Sequence, residues 1–155
     1  MIRGLFLLTQ NKCGFILRDI LKNININGLI WEIGYAEVFS MSQNDDTQEA
    51  NRFSKGVMTS EELMKQAQRP PEYYPLFGEF KAFTSKESIT PIGTYSDFID
   101  SDCQLIILIA DAVYIDIYAK DKELLKQIKK NAQKLNCTEI TDITDENDER
   151  HKMYI

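Results

Sequence analysis

A chain of 155 residues, 43% hydrophobic and 27% charged, has the composition of an ordinary folded domain, which excludes an intrinsically disordered or low-complexity segment. With 24 acidic against 18 basic residues the formal charge is −6, a field that repels phosphate backbones and argues against nucleic acid as a partner. No stretch nears the roughly 18 to 20 apolar residues that cross a bilayer, and the apolar run at the N-terminus is too short for a signal peptide, so no membrane partner is expected.

In chain order, Arg3 to Thr9 reads as a short strand. Asn11 offers an N-cap to a helix in which Phe15, Ile16, Ile20 and Ile24 recur at helical spacing, and Asn27-Gly28 ends it. The segment LIWEIGYAEVFSM is rich in β-formers and predicts a long strand with a bulge or bend at Gly34. About residues 42–55 the chain is almost devoid of apolar side chains and is expected to form an exposed, mobile loop. Thr59 and Glu62 have capping-box spacing for a helix that Pro70 and Pro71 stop. In YYPLFGEFKAF the later part predicts a strand, with Pro75 at an edge or an irregular start.

IGTYSDFID predicts at most a short helix, in which Tyr95, Phe98 and Ile99 pack down. Leu105 to Ile109 is apolar throughout, as a strand covered on both faces must be, and is the candidate for the centre of a sheet. Ala110-Asp111-Ala112 fits a hairpin turn into a second strand, where Val113, Ile115, Ile117 and Ala119 alternate with Tyr114, Asp116 and Tyr118. A helix capped near Lys120-Asp121 follows, with Leu124, Leu125, Ile128, Ala132 and Leu135 on one face and Asn136 as a left-handed stop. Glu139 to Thr144 predicts a strand, TDENDER a solvated turn, and His151 to Ile155 a returning strand. Residues 1–155 thus predict a single α+β domain: a mixed, largely antiparallel sheet with two or three helices packed on it.

Three cysteines, Cys13, Cys103 and Cys137, lie far apart without C-x-x-C spacing and read as reduced thiols, hence a cytoplasmic location. The only histidine is His151, and no G-x-G-x-x-G, P-loop, nucleophile elbow or H-E-x-x-H is present, so no catalytic residue and no cofactor is assigned. The carboxylates Asp142, Asp145, Glu146, Asp148 and Glu149 lack the glycine and spacing of a calcium loop, so no metal site is assigned either.

Two groups of residues remain as candidate binding sites. Tyr73, Tyr74 and Phe77 follow two prolines and form either a recognition surface or a cap on the core. Tyr114, Asp116 and Tyr118 share one strand face, where a carboxylate beside two phenols would bind a cation or act as an acid or base if the face lines a concavity. The plainer alternative is a carboxylate on a wet face, or one satisfied by a neighbouring lysine or hydroxyl.

The segments SDCQLIILIADAVYIDIYAKDKE and ITDENDER, with NKCGFILRDIL near the N-terminus and WEIG further on, resemble a family of proteins of unknown function and similar length from Gram-positive bacteria. The resemblance implies a stand-alone bacterial domain and brings no catalytic residues with it. The leading expectation is a non-enzymatic protein-binding domain, acidic enough to neutralise a basic partner, with self-association as a blander case. The alternative is a small-molecule-binding or enzymatic domain built on the face around Asp116.

Overall fold

The computed structural model describes residues 1–42 and 45–155. In chain order the elements are β1 (Ile2–Leu8), α1 (Ile16–Ile20), β2 (Ile30–Ser42), β3 (Asp45–Gln48), β4 (Gly56–Thr59), α2 (Ser60–Gln68), β5 (Tyr73–Phe83), α3 (Tyr95–Asp100), β6 (Cys103–Ala110), β7 (Tyr114–Ala119), α4 (Lys122–Gln133) and β8 (Glu139–Thr144). The strands form one sheet of order β3-β2-β5-β6-β7-β1-β8, with β4 also on β2, and all the pairings are antiparallel. This is the α+β class expected, with four helices among the described residues where two or three were anticipated.

The apolar run Leu105 to Ile109 lies at the middle of that order because both its faces are covered. Leu105, Ile107 and Ile109 join the larger core, on the side of α1, α2 and α4, while Ile106 and Leu108 join a smaller core with Phe98, Ile92 and Met153. The turn between β6 and β7 holds Asp111 and Ala112 at φ values of 52° and 65°, the left-handed pair that a tight antiparallel connection requires. Two of the expected caps form: Thr59 with Glu62 makes a capping box, and Asp121 accepts from the backbone of Glu123 and Leu124; Thr94 with Asp97 makes a further capping box on α3.

Gly34 falls at a register shift between β2 and β5, the bulge that its position suggests. Pro75 pairs only toward β2, since β6 joins β5 from Gly78 onward, so its missing N–H breaks no ladder on that side. Gly4 is constrained more tightly: a Cβ there would fall inside contact distance of the Ile117 carbonyl oxygen. Gly4→Ala is expected to cost about 2 kcal/mol through overpacking of the β1–β7 ladder. Urea denaturation checks this, and an unchanged midpoint would contradict it.

Four local expectations require correction. Residues Cys13 to Phe15 do not begin a helix at Asn11, because Gly14 exchanges two backbone hydrogen bonds with Tyr73, at 2.9 and 2.8 Å, and holds the chain extended until Ile16. Asn23, at φ 60°, reverses the chain soon after α1 ends. At the far end α4 stops at Gln133 with Lys134 in ordinary helical geometry, so Asn136 is not its left-handed stop. Residues 151–155 form no strand; Met153 is instead buried and its N–H donates to the Gly93 carbonyl at 3.0 Å.

The expected loop is the fourth correction. Asp45–Gln48 pairs with Phe39–Ser42, and Arg52 and Phe53 are buried; residues 43 and 44 lie outside the described residues. Polar composition conceals this because Arg52 is held by main-chain oxygens, which leave no pattern in the side chains. Its guanidinium donates to the carbonyls of Gln66, Arg69 and Pro71 and to Glu49, and lies 4.3 Å from the centre of the Tyr73 ring. The segment is thereby tied to the C-terminal end of α2, where helical carbonyls lack partners of their own.

Candidate functional site

Three helices, α1, α2 and α4, cover one face of the sheet, while only α3 and the small core lie on the opposite face, so the opposite face decides where chemistry or recognition can occur. That face carries Phe6, Tyr114, Asp116 and Tyr118 on one side of the small core and Tyr35, Glu37, Phe39, Met41, Tyr74 and Phe77 on the other. The β7 alternation is as read from the sequence, with Ile115, Ile117 and Ala119 pointing into the large core.

Asp116 abuts a cavity of about 380 Å³ lined also by Phe6, Tyr118, Asn147, Asp148 and Arg150. Its carboxylate is already engaged: Arg150 Nε and a terminal guanidinium nitrogen both lie 2.8 Å from Oδ2. Burial pushes the Asp116 carboxyl above the usual range, and Arg150 opposes that shift without cancelling it. The hydroxyl of Tyr118 donates to Asp148 Oδ1 at 3.0 Å, and Arg3 reaches Asp148 Oδ2 at 3.2 Å. Burial, reinforced by Asp148 and Asp116, raises the Tyr118 phenol, so it remains protonated at neutral pH.

Arg3 also donates to Asp145 at 2.8 Å and lies 4.1 Å from the centre of the Tyr95 ring. These contacts bind residues 145–150 across β1 and β7, and the TDENDER segment is therefore only partly a solvated turn: the Asp148 side chain is 3% exposed. Asn147 adds a seal at the sheet edge by accepting from Thr144 N and donating to the Asp142 carbonyl, which occupies edge groups that would otherwise pair with another chain. The arrangement is a clamp. An acid whose charge is offset by a guanidinium held 2.8 Å from one of its oxygens is poorly placed to move protons for a substrate.

Tyr73 is fully buried on the helical side, its hydroxyl donating to Ala67 O at 2.8 Å and its ring meeting the edges of Phe15 and Phe53. Of the two readings of the Tyr73, Tyr74, Phe77 group, core is therefore correct for Tyr73. Tyr74 and Phe77 point to the opposite face. Tyr74 stacks on Phe39 at 5.6 Å with its hydroxyl donating to Asp46 at 3.0 Å, and Phe77 lies 6.2 Å from Tyr35, whose hydroxyl donates to Glu37 at 2.9 Å. Tyr35 is 46% exposed and Met41 50%. The result is an apolar strip over β2 and β5 with carboxylates Glu37 and Asp46 within hydrogen-bond reach of its phenols.

Sequence reasoning names Tyr74 and Phe77 but misses Tyr35, Phe39 and Met41. The signal exists, since beyond the Gly34 bulge Tyr35, Glu37, Phe39 and Met41 recur with period two. The partners of Asp116 carry no such signal, because Arg150 is distant in sequence and only the folded turn brings it near. Thiol chemistry has little support: burial pushes Cys103 up to about 12 and also raises Cys13 and Cys137. Among the described residues no three His, Cys, Asp or Glu gather where they could hold a metal.

An antiparallel α+β sheet with α1, α2 and α4 on one face, and on the other a small core under α3 flanked by a clamp and an aromatic strip, defines the class of protein. The chain belongs to the family described as "Protein of unknown function (DUF2691)", which matches residues 2–154. It is 31% identical over 155 residues, covering the whole of both chains, to "Uncharacterized protein YncE" of Bacillus subtilis (strain 168). No solved structure matches it. No helix is long and apolar enough to cross a membrane among the described residues.

Proposed function

We propose that this chain is a protein-binding domain that engages a basic partner through the strip Tyr35, Phe39, Met41, Tyr74 and Phe77. The observation that carries this reading is an apolar strip left open on a sheet whose other face is covered by α1, α2 and α4. Rigid aromatic rings supply contact area at small entropic cost, and such rings anchor most binding energy at interfaces. Glu37 and Asp46, together with the net charge of −6, supply the field that draws in a cationic surface and would make the complex sensitive to salt. The face around Asp116 supports no second reading of equal weight, because Arg150 and Asp148 already satisfy it.

The test is affinity capture at low ionic strength from the host lysate, with the wild-type chain beside a Tyr35→Ser/Phe77→Ser variant. Both substitutions are at exposed or half-buried positions and should shift stability by no more than about 1 kcal/mol. The expected result is one stoichiometric protein of basic charge, released by salt, and bound at least about 30-fold more weakly by the variant. Recovery of the same protein by both forms, or of none by either, would overturn the proposal. So would light scattering that gives a dimer lost in the variant, since the strip would then serve self-association.

A further inference from the structure

On the helical side, where α4 crosses β1 and β8, the packing leaves a cavity of about 380 Å³. Its apolar lining comes from Leu5, Leu125, Ile2 and Met1. Leu5 and Leu125 form the floor, at 0% and 6% exposure, while Ile2 and Met1 are open to solvent at 40% and 79%. The volume lies within the range of roughly 300 to 1,000 Å³ usual for small-molecule sites. It is an apolar recess that no side chain of the described residues fills.

Three lysines stand round the opening, in a chain whose net charge is −6. Lys122 Nζ donates to the Ile2 carbonyl at 2.6 Å and to Ala119 O at 3.4 Å, which fixes its ammonium at the rim with one proton left over. Lys129 pairs with Asp142 at 3.0 Å. Lys126 touches only Glu123, at 3.1 Å, with both side chains at least 70% exposed, and a pair so exposed holds its partners weakly. Two ammonium groups can therefore turn toward a ligand at the opening without breaking a buried contact.

We infer that this recess is a binding site for a single-chain carboxylate amphiphile of medium length, its tail against Leu125, Ile2 and Met1 and its head group between Lys122 and Lys126. Asp142 also lines the recess but is taken up by Lys129, which leaves Lys122 and Lys126 as the unneutralised rim. Apolar floor and net positive rim both match that chemistry, and a neutral ligand would leave those lysines unused. The site is separate from the aromatic strip and does not depend on the protein-binding proposal. The competing explanation is that lysine stems merely shade an apolar surface.

Calorimetric titration of the full chain with decanoate, below its micelle concentration, tests the inference. Saturable one-to-one binding with Kd below about 1 mM is expected, weakened at least about tenfold by Ile2→Trp, which fills the recess, and several-fold by Lys126→Glu. Decyltrimethylammonium, with the same tail and the opposite head, should not bind. Both substituted side chains are solvent-exposed, and circular dichroism with thermal melting confirms that the variants fold. Non-saturating heats, equal affinity in both variants, or equal binding of the cation would overturn the site. Flotation with phosphatidylglycerol vesicles in the absence of decanoate binding would overturn it too, assigning the lysines to a lipid surface.

Discussion

Arg52→Ala is expected to lower folding stability by about 4 kcal/mol, the largest effect of any single substitution considered for this chain. Arg52 is fully buried, and its guanidinium satisfies three main-chain carbonyls as well as Glu49 Oε2 at 2.6 Å. Alanine would leave Glu49, whose side chain is only 17% exposed, without its main cation and would strip the C-terminal end of α2 of its donors. It would also open a cavity beside Tyr73, which carries the guanidinium on its ring and backs the core formed with Phe53 and Phe80. Lysine should recover little of the loss, because one ammonium cannot reproduce a planar fork directed at several carbonyls at once. Urea denaturation measures both. A loss below about 1 kcal/mol for Arg52→Ala would mean that residues 49–56 are not part of the folded core.

The second large effect is expected at the clamp. Arg150→Ala should cost about 3 kcal/mol near pH 7, since it leaves the Asp116 carboxylate, 19% exposed, without its counter-ion. The pH dependence follows from the direction of the Asp116 shift. Burial raises the folded-state value above the unfolded one, and removal of Arg150, which opposes that rise, lifts it further. A carboxyl with a raised folded value binds its proton more tightly when folded, so its charged form detracts from stability above that value and the deficit is relieved as pH falls through it. The gap between wild type and Arg150→Ala should therefore narrow as pH falls from neutrality through the folded-state value of Asp116.

Comparing the two proteins at each pH removes the background from Asp97 and Asp145, whose lowered values make their own contribution disappear as acid is added. Asp116→Asn in the Arg150→Ala background should restore part of the loss near pH 7, because the uncompensated charge is gone. A gap that widens on acidification would contradict the assignment of Asp116 as the buried partner.

How far these features can be read from the sequence depends on the kind of interaction that creates them. Leu105 to Ile109 is recognisable as the central strand because burial on both faces demands an uninterrupted apolar run, and Thr59 and Asp121 stand at cap positions that are local by nature. Arg52 is unreadable for the opposite reason: its partners are backbone carbonyls on α2 and at Pro71, so a polar segment looks like loop. Tyr114, Asp116 and Tyr118 are placed on one face by period two alone, but Arg3 and Arg150 reach that cluster from opposite ends of the chain. Tyr73 and Tyr74 are neighbours in sequence and belong to opposite faces, which is what strand geometry requires once Tyr73 is drawn into the core by its bridge to Gly14.

The aromatic strip over β2 and β5 is the surface proposed to hold a basic partner. Photo-crosslinking tests it most directly, with benzoylphenylalanine placed at Phe77 on the strip and, in a second protein, at the exposed Lys130 on α4 of the opposite face. The prediction is a single salt-sensitive adduct to a basic protein from the Phe77 position and none from Lys130. Adduct formation from Lys130 with none from Phe77 would contradict it.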